Sequence, residues 1–394
     1  MDYSKVLSKT AVSIKPSGIR KFFDLLGDRK DVISLTVGEP DFMTPYHIRA
    51  VGIESLERGR TYYTSNDGIM ELRQEICNYL NRRFGLTYNP KKEVIVTVGG
   101  SEAIDLGVRA LVEPGDEVII PQPAFVCYGP IVELAHGVPV YIETKPEDDF
   151  KLTPEALKKA ITPKTKLLIL PFPNNPTGAV LTKEELVQIA EVLRDTNIMV
   201  LSDEIYAELS YGFKHTPIAS IDGMWERTVT VSGFSKSYAM TGWRLGYLCA
   251  PHELVEQMHK IHQYAIMCAP TTSQLAAIEA LKHGDPDIEM MRDEYDRRRR
   301  YIIDGLRKMG ISCFEAKGAF YVFPHIGEFG LSSDEFCQRL LDEKNVAIVP
   351  GNAFGDCGEG YARISYAYSV DHITKALAKM AEFVDELKRE KNIQ

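Results

Sequence analysis

The sequence predicts an α/β protein with a mostly parallel sheet, joined to a smaller α+β unit. Short apolar runs that end in polar or turn-forming residues alternate with segments of helical character, and this pattern changes after about residue 280. A chain of 394 residues, 44% apolar and 26% charged, is also long enough for two cores.

The runs Val94–Val98, Val118–Ile120, Lys166–Leu170, Ile198–Leu201, Thr228–Val231 and Gly246–Cys249 read as buried strands. Between two of them, Glu184–Leu193 follows the helix cap Thr182, with Lys183 at the first helical position. In such a sheet, ligands gather at the carboxyl ends of the strands. Farther on, Gly284, Asp285 and Pro286 break the chain. A long charged helix then runs to Met309, and short strands are expected at Ala319–Phe323 and Ala347–Val349. The expected division is a larger unit over residues 46–284 and a smaller one made of 285–394 together with 1–45. The N-terminal stretch is too short to fold alone and is expected to pack on the second unit or across the cleft. No internal repeat or low-complexity segment is visible.

The 46 basic and 55 acidic residues leave a net charge of −9 spread along the chain, which argues against nucleic acid or an anionic membrane as partner. Any anionic ligand must find a local site. In the run Arg297 to Arg300, three of the arginines follow Asp293, Glu294 and Asp296 by four residues, which predicts a solvated, self-paired helix face. Cys77, Cys127, Cys249, Cys268, Cys313, Cys337 and Cys357 are scattered without metal-ligand spacing, so free thiols in a reducing compartment and no metal site are expected. Met1 to Lys15 lacks the apolar core of a signal peptide, and no apolar stretch is long enough to span a bilayer. A cytoplasmic location is expected. All nine histidines read as structural or surface residues.

Polar residues at the strand ends carry the chemistry. Ile198–Leu201 runs into Ser202, Asp203, Glu204, Ile205 and Tyr206; Thr228–Val231 runs into Ser232, Gly233, Phe234, Ser235 and Lys236; Lys166–Leu170 runs toward Asn175-Pro176-Thr177-Gly178. If neighbouring strands end together, Asp203, Lys236 and Asn175 converge. A carboxylate, a lysine and an amide in one crevice suit a pyridine-aldehyde cofactor. The lysine condenses with the aldehyde, the carboxylate keeps the ring nitrogen protonated, and the amide bonds the phenolic oxygen, which Tyr206 can also reach. A phosphate cup is offered by Gly99-Gly100-Ser101-Glu102, where a strand passes into a helix N-terminus, and by Arg244, a fixed cation with paired donors. Each feature alone has an ordinary structural reading. Their order along one chain carries the weight.

Taken together, these segments resemble the class I/II, fold-type I pyridoxal-phosphate-dependent aminotransferases, closest to the aromatic, broad-specificity and N-acetyl-diaminopimelate enzymes. The resemblance runs from Ser17-Gly18-Ile19-Arg20 through Val37-Gly38-Glu39-Pro40-Asp41-Phe42 and Tyr62-Tyr63-Thr64 to Gly360-Tyr361-Ala362-Arg363-Ile364-Ser365. Its most specific pieces are Ser235-Lys236 followed by Gly242-Trp243-Arg244, and Asn175 to Gly178. It implies a seven-stranded, mostly parallel sheet with helices on both faces. It also implies that Lys236 holds pyridoxal 5′-phosphate as a Schiff base and later shuttles a proton, while Asp203 pairs with the pyridine nitrogen. Asn175 and Tyr206 would bond the phenolic oxygen; Gly100, Ser101 and Glu102, mainly through backbone N–H groups, would hold the phosphate with Ser235 and Arg244. Phe125 matches the aromatic that stacks on the ring. Arg363, with the backbone of Gly38, matches the clamp on the substrate carboxylate, and Tyr63 the tyrosine that reaches the neighbouring subunit's phosphate. A homodimer with shared active sites follows from the same resemblance. One departure is Gly233, where some relatives carry a serine; Ser235 is the favoured hydroxyl.

The implied activity is a ping-pong transfer of the α-amino group of an amino acid, aromatic or broad in range, to a 2-oxo acid such as 2-oxoglutarate. The alternatives are an aspartate or N-acetyl-diaminopimelate aminotransferase, or a carbon–sulfur β-lyase on the same scaffold. A nicotinamide dehydrogenase is disfavoured because the turn at Gly99 lacks the GxGxxG spacing. A cofactor-binding transcriptional regulator is disfavoured by the short segment before Val37.

Overall fold

The computed structural model describes residues 1–16, 18, 29 and 31–391. Of the motif at residues 17–20, Ser17, Ile19 and Arg20 lie outside the described residues. Seven strands form the main sheet: β2 (Val94–Thr97), β3 (Glu117–Gln122), β4 (Val138–Glu143), β5 (Thr165–Leu170), β6 (Met199–Asp203), β7 (Thr228–Gly233) and β8 (Gly246–Cys249), numbered after β1 (Ile33–Ser34). Their spatial order is β2-β8-β7-β6-β5-β3-β4, and β8 alone runs antiparallel to its neighbours. The six apolar runs singled out in the sequence are all strands of this sheet. The seventh, β4, escaped notice because Pro139 and three exposed positions mark it as an edge strand rather than a buried one.

Successive side chains on a strand point to opposite faces, and the packing follows that period. Leu167 and Ile169 of β5 face the helices Gly100–Leu111 and His252–Ala265, while Leu168 and Leu170 face the helix Lys183–Leu193. That last helix begins as expected: Thr182 and Glu185 form a reciprocal capping box.

The C-terminal residues build a second core around the helices Asp285–Lys308, Ser333–Lys344 and Val370–Lys391. Its three-stranded antiparallel sheet has the order β11 (Val349–Pro350), β12 (Ala362–Ser365), β9 (Tyr321–Val322). The stretch 347–349, expected as one strand, is divided: Val346–Ala347 (β10) pairs with β1, and Val349–Pro350 pairs with β12. Through β1 the segment before Val37 is stitched to this core, and the Leu35 carbonyl accepts from Ser365 N at 2.9 Å.

The break expected at Gly284-Asp285-Pro286 falls at Gly284, between the helices Thr271–His283 and Asp285–Lys308, and Pro286 lies just past it in the first turn of the second helix, where its missing N–H leaves no bond unmade. One sequence expectation needs correction. The arginine run is not a solvated face throughout, because Arg298 and Arg299 are buried. Arg298 donates to both oxygens of Asp41 at 2.8 Å and to Glu294, and Arg299 to Asp296 and Glu315. Asp293 pairs with Arg292 rather than with Arg297.

Candidate active site

The register of the sheet brings the site together. On adjacent parallel strands Leu170 lies opposite Ser202, and Asp203 opposite Val231, so the loops carrying Asn175, Tyr206 and Lys236 leave the sheet at one edge. The antiparallel β8 begins at that edge: Gly246 lies between Thr97 of β2 and Gly233 of β7, which puts Arg244 beside the turn Gly99-Gly100. The same closeness explains Gly233, since a Cβ there would stand 2.9 Å from the Cα of Gly246. A serine does not fit at that position, and Ser235 lines the cavity instead.

The cavity at this edge has a volume of about 350 Å3, within the range of small-molecule sites. Lys236, Asp203, Asn175, Tyr206, Arg244 and Arg363 all line it. So do Gly38, Gly100, Ser101, Phe125 and Ser235. Glu102 and Tyr63 do not. The Glu102 carboxylate turns away to His262 Nδ1 at 2.6 Å and to the Val98 N–H, while Tyr63 is on the surface, 81% exposed. His262 is wholly buried, and its other nitrogen donates to the Asn66 carbonyl at 2.9 Å, a structural tie.

Lys236 Nζ donates to the Gly38 carbonyl at 2.6 Å. Burial lowers its pKa to about 8, against the pull of Glu39 and with the help of Arg363 and Arg244. The lowered pKa leaves more of the amine without a proton near neutrality, as condensation with an aldehyde requires. Asp203 is also buried, and desolvation raises its pKa despite hydrogen bonds from Tyr128 Oη at 2.7 Å and Ile205 N at 3.2 Å. A cation placed against it would be held strongly; a protonated pyridine nitrogen is such a cation. Arg363, on β12, reaches across to Asn175 Oδ1 at 3.0 Å and donates to the Thr36 carbonyl at 2.5 Å. Its guanidinium lies 4.6 Å from the centroid of Tyr321 and 4.8 Å from that of Phe354. Its Nε is buried without a hydrogen-bond partner, so this cation has donor capacity to spare for a carboxylate. For a phosphate, the helix Gly100–Leu111 points its N-terminus into the cavity, and the Arg244 guanidinium packs on Gly99. The residues present therefore fit pyridoxal phosphate at each of its functional groups.

Sequence reasoning missed two hydroxyls. Tyr128 supports Asp203; its signal was its place three residues after Phe125, in the same strand-to-helix turn. Tyr321 bonds Tyr206 hydroxyl to hydroxyl at 2.9 Å. In the sequence it lies within an apolar strand, where a tyrosine hydroxyl needs a buried partner.

A sheet edge that gathers a half-buried amine, a carboxylate and a guanidinium defines an enzyme of amino- and carbonyl-group chemistry. Comparison with known proteins narrows the class. The family model "Aminotransferase class I and II" matches residues 30–380. The aspartate aminotransferase of Pyrococcus abyssi is 47% identical over 95% of this chain and 97% of its own. The aromatic-amino-acid aminotransferase 2 of Thermococcus litoralis is 45% identical over 97% and 99%. The crystal structure of an aromatic aminotransferase from Pyrococcus horikoshii superposes with a TM-score of 0.89 at 46% identity, covering 94% of this chain and 99% of the other. The chain belongs to the class I and II aminotransferases. It is a pyridoxal-phosphate-dependent enzyme of fold type I that transfers amino groups between amino acids and 2-oxo acids.

Proposed function

We propose that the enzyme transfers the amino group of aromatic and other large apolar amino acids to a 2-oxo acid such as 2-oxoglutarate, with Lys236 as its central residue. The observation that carries this reading is the convergence of Lys236, Asp203 and Arg363 on one cavity whose remaining walls include Phe125, Tyr128, Ile104, Pro171, Pro173 and Tyr321. Among the described residues that line the cavity, Lys236 and Arg244 serve the cofactor, which leaves Arg363 for one carboxylate and no cation for a second.

Bound there, pyridoxal phosphate supplies an aldehyde that takes up the amine and a ring that draws electrons from the α-carbon. The protein does the rest. Lys236 would hold the aldehyde carbon in the resting enzyme and, once released by the substrate amine, would carry the proton between the substrate α-carbon and that former aldehyde carbon. Asp203, held by Tyr128, keeps a proton on the ring nitrogen. Asn175 and Tyr206 bond the phenolic oxygen. Gly100, Ser101 and Glu102 through their N–H groups, with Ser235 and Arg244, hold the phosphate, and Phe125 stacks on the ring. Arg363 grips the substrate α-carboxylate beside Gly38. Because Arg363 belongs to the second core, residues 285–394 with 1–45 would close on residues 46–284 when substrate binds.

The same reading includes a homodimer in which Tyr63 reaches the neighbouring subunit's phosphate. In support, Tyr62, Tyr63 and Tyr264 are 78%, 81% and 86% exposed, on segments joined by Thr271 to the Tyr62 carbonyl and by Asn66 to the Met267 carbonyl. The free cysteines suit a cytoplasmic enzyme. A donor panel of phenylalanine, tyrosine, aspartate, alanine and N-acetyl-diaminopimelate with 2-oxoglutarate tests the substrate range. Phenylalanine and tyrosine should give the highest kcat/KM; aspartate exceeding both by tenfold would overturn the aromatic assignment.

A further inference from the structure

Tyr321 lies between two residues that the proposed function uses for different purposes. Its ring is fully buried under the Arg363 guanidinium, 4.6 Å from the centroid, and its hydroxyl is 2.9 Å from that of Tyr206. The hydroxyl also occupies the space that a side chain at residue 38 would need, since a Cβ on Gly38 would stand 2.3 Å from it. Gly38 and Tyr206 thus meet at the hydroxyl oxygen of Tyr321, on β9, while Arg363 of β12 lies over the ring that carries it.

A hydroxyl has a single proton. Either tyrosine can donate in the bond between them, but once Tyr206 gives its proton to a ligand oxygen, only Tyr321 can. Donation to the Tyr206 oxygen polarises the Tyr206 O–H and strengthens its own bond onward. The Arg363 cation beside the Tyr321 ring makes that hydroxyl the better donor, and a carboxylate bound to Arg363 cancels part of the effect. We infer that Tyr321 is a positioning residue that couples the two ends of the site: through its hydroxyl, occupation of Arg363 by a carboxylate weakens the grip of Tyr206 on the cofactor's phenolic oxygen. The inference rests on the assignments of Tyr206 and Arg363 made above. The other groups facing this pair are Tyr368 toward Tyr321, and Asp203 and Lys236 toward Tyr206, with Lys236 Nζ 5.8 Å from the Tyr206 centroid. All of them remain when the Tyr321 hydroxyl is removed.

The test is a pH titration of the visible band of bound pyridoxal phosphate in the holoenzyme, with and without 3-phenylpropionate, a carboxylate that has no amine to react. In the wild type the ligand raises the midpoint. Tyr321→Phe should start with a midpoint higher by roughly half a pH unit and respond less to the ligand. A ring-fluorinated tyrosine at 321, a stronger donor, should shift the midpoint the other way. In a Tyr206→Phe background, Tyr321→Phe should change nothing further. A Tyr321→Phe enzyme with the wild-type midpoint and the wild-type response to 3-phenylpropionate overturns the coupling. Failure of the wild type to develop any visible band overturns the cofactor site itself, a separate result.

Discussion

Removing the Tyr128 hydroxyl should weaken the cofactor site without disturbing the fold. Tyr128 and Asp203 are 3% and 7% exposed, and the hydroxyl donates to Asp203 Oδ2 at 2.7 Å. In Tyr128→Phe the carboxylate keeps only the Ile205 N–H among its protein donors of this kind. A hydrogen bond to a charged group contributes about 1.5–3 kcal/mol, which corresponds to roughly one to two pKa units. The loss adds to the upward push that desolvation already gives Asp203. The carboxylate then holds the ring proton less firmly, so the Kd for pyridoxal phosphate should rise about tenfold or more and kcat should fall. The effect should grow as pH is lowered, because the variant carboxylate protonates at higher pH than the wild type. Spectrophotometric titration of the apoenzyme with cofactor, at several pH values, measures it. An unchanged Kd across pH 6 to 8 would refute the idea that Tyr128 maintains the Asp203 charge.

Arg363→Lys keeps the charge but loses the planar pair of donors, so KM for both amino acid and 2-oxo acid should rise by about ten- to a hundredfold while cofactor affinity holds; steady-state kinetics and cofactor titration separate the two. Arg298→Ala strands the carboxylate of Asp41 next to the second core, while Glu294 keeps Arg297, and should destabilise the protein by about 2 kcal/mol in urea denaturation; a loss below about 0.5 kcal/mol would mark the pair as incidental. His47 lies 2.8 Å from Glu279 and 2.9 Å from Asp287, and although burial opposes its charge, the two hydrogen bonds raise its pKa. Its stabilising contribution should be complete below pH 6.5 and disappear as pH rises through the folded value. The stability difference between wild type and His47→Gln, no more than about 1 kcal/mol given its exposure, should therefore shrink from pH 6 to pH 9.

The parts of the fold that were legible in the sequence are those in which local pattern and burial agree. The central strands are continuous apolar runs because helices cover both of their faces, and the order of their polar ends placed Asn175, Asp203 and Lys236 at one edge. Strand β4 has Pro139 and an exposed face, so its apolar signal is diluted. Residues 347–349 look uniform, but only tertiary pairing decides that the chain turns from β1 to β12 at Ile348. The burial of Arg298 and Arg299 was hidden for the same reason: the partners Asp41 and Glu315 are remote or lie beyond the helix. Tyr128 and Tyr321 illustrate the limit at the site. Each resembles an ordinary core aromatic, and only the meeting of separate elements gives its hydroxyl a partner.

The chemistry of the site depends on where the cofactor is attached. Borohydride reduction of the holoenzyme followed by peptide mapping fixes the linkage irreversibly and reads it by mass. The pyridoxyl group should appear on the peptide containing Ser235-Lys236, and Lys236→Ala should lose both the label and turnover. A label on another lysine, or full turnover in Lys236→Ala, would contradict the assignment of Lys236.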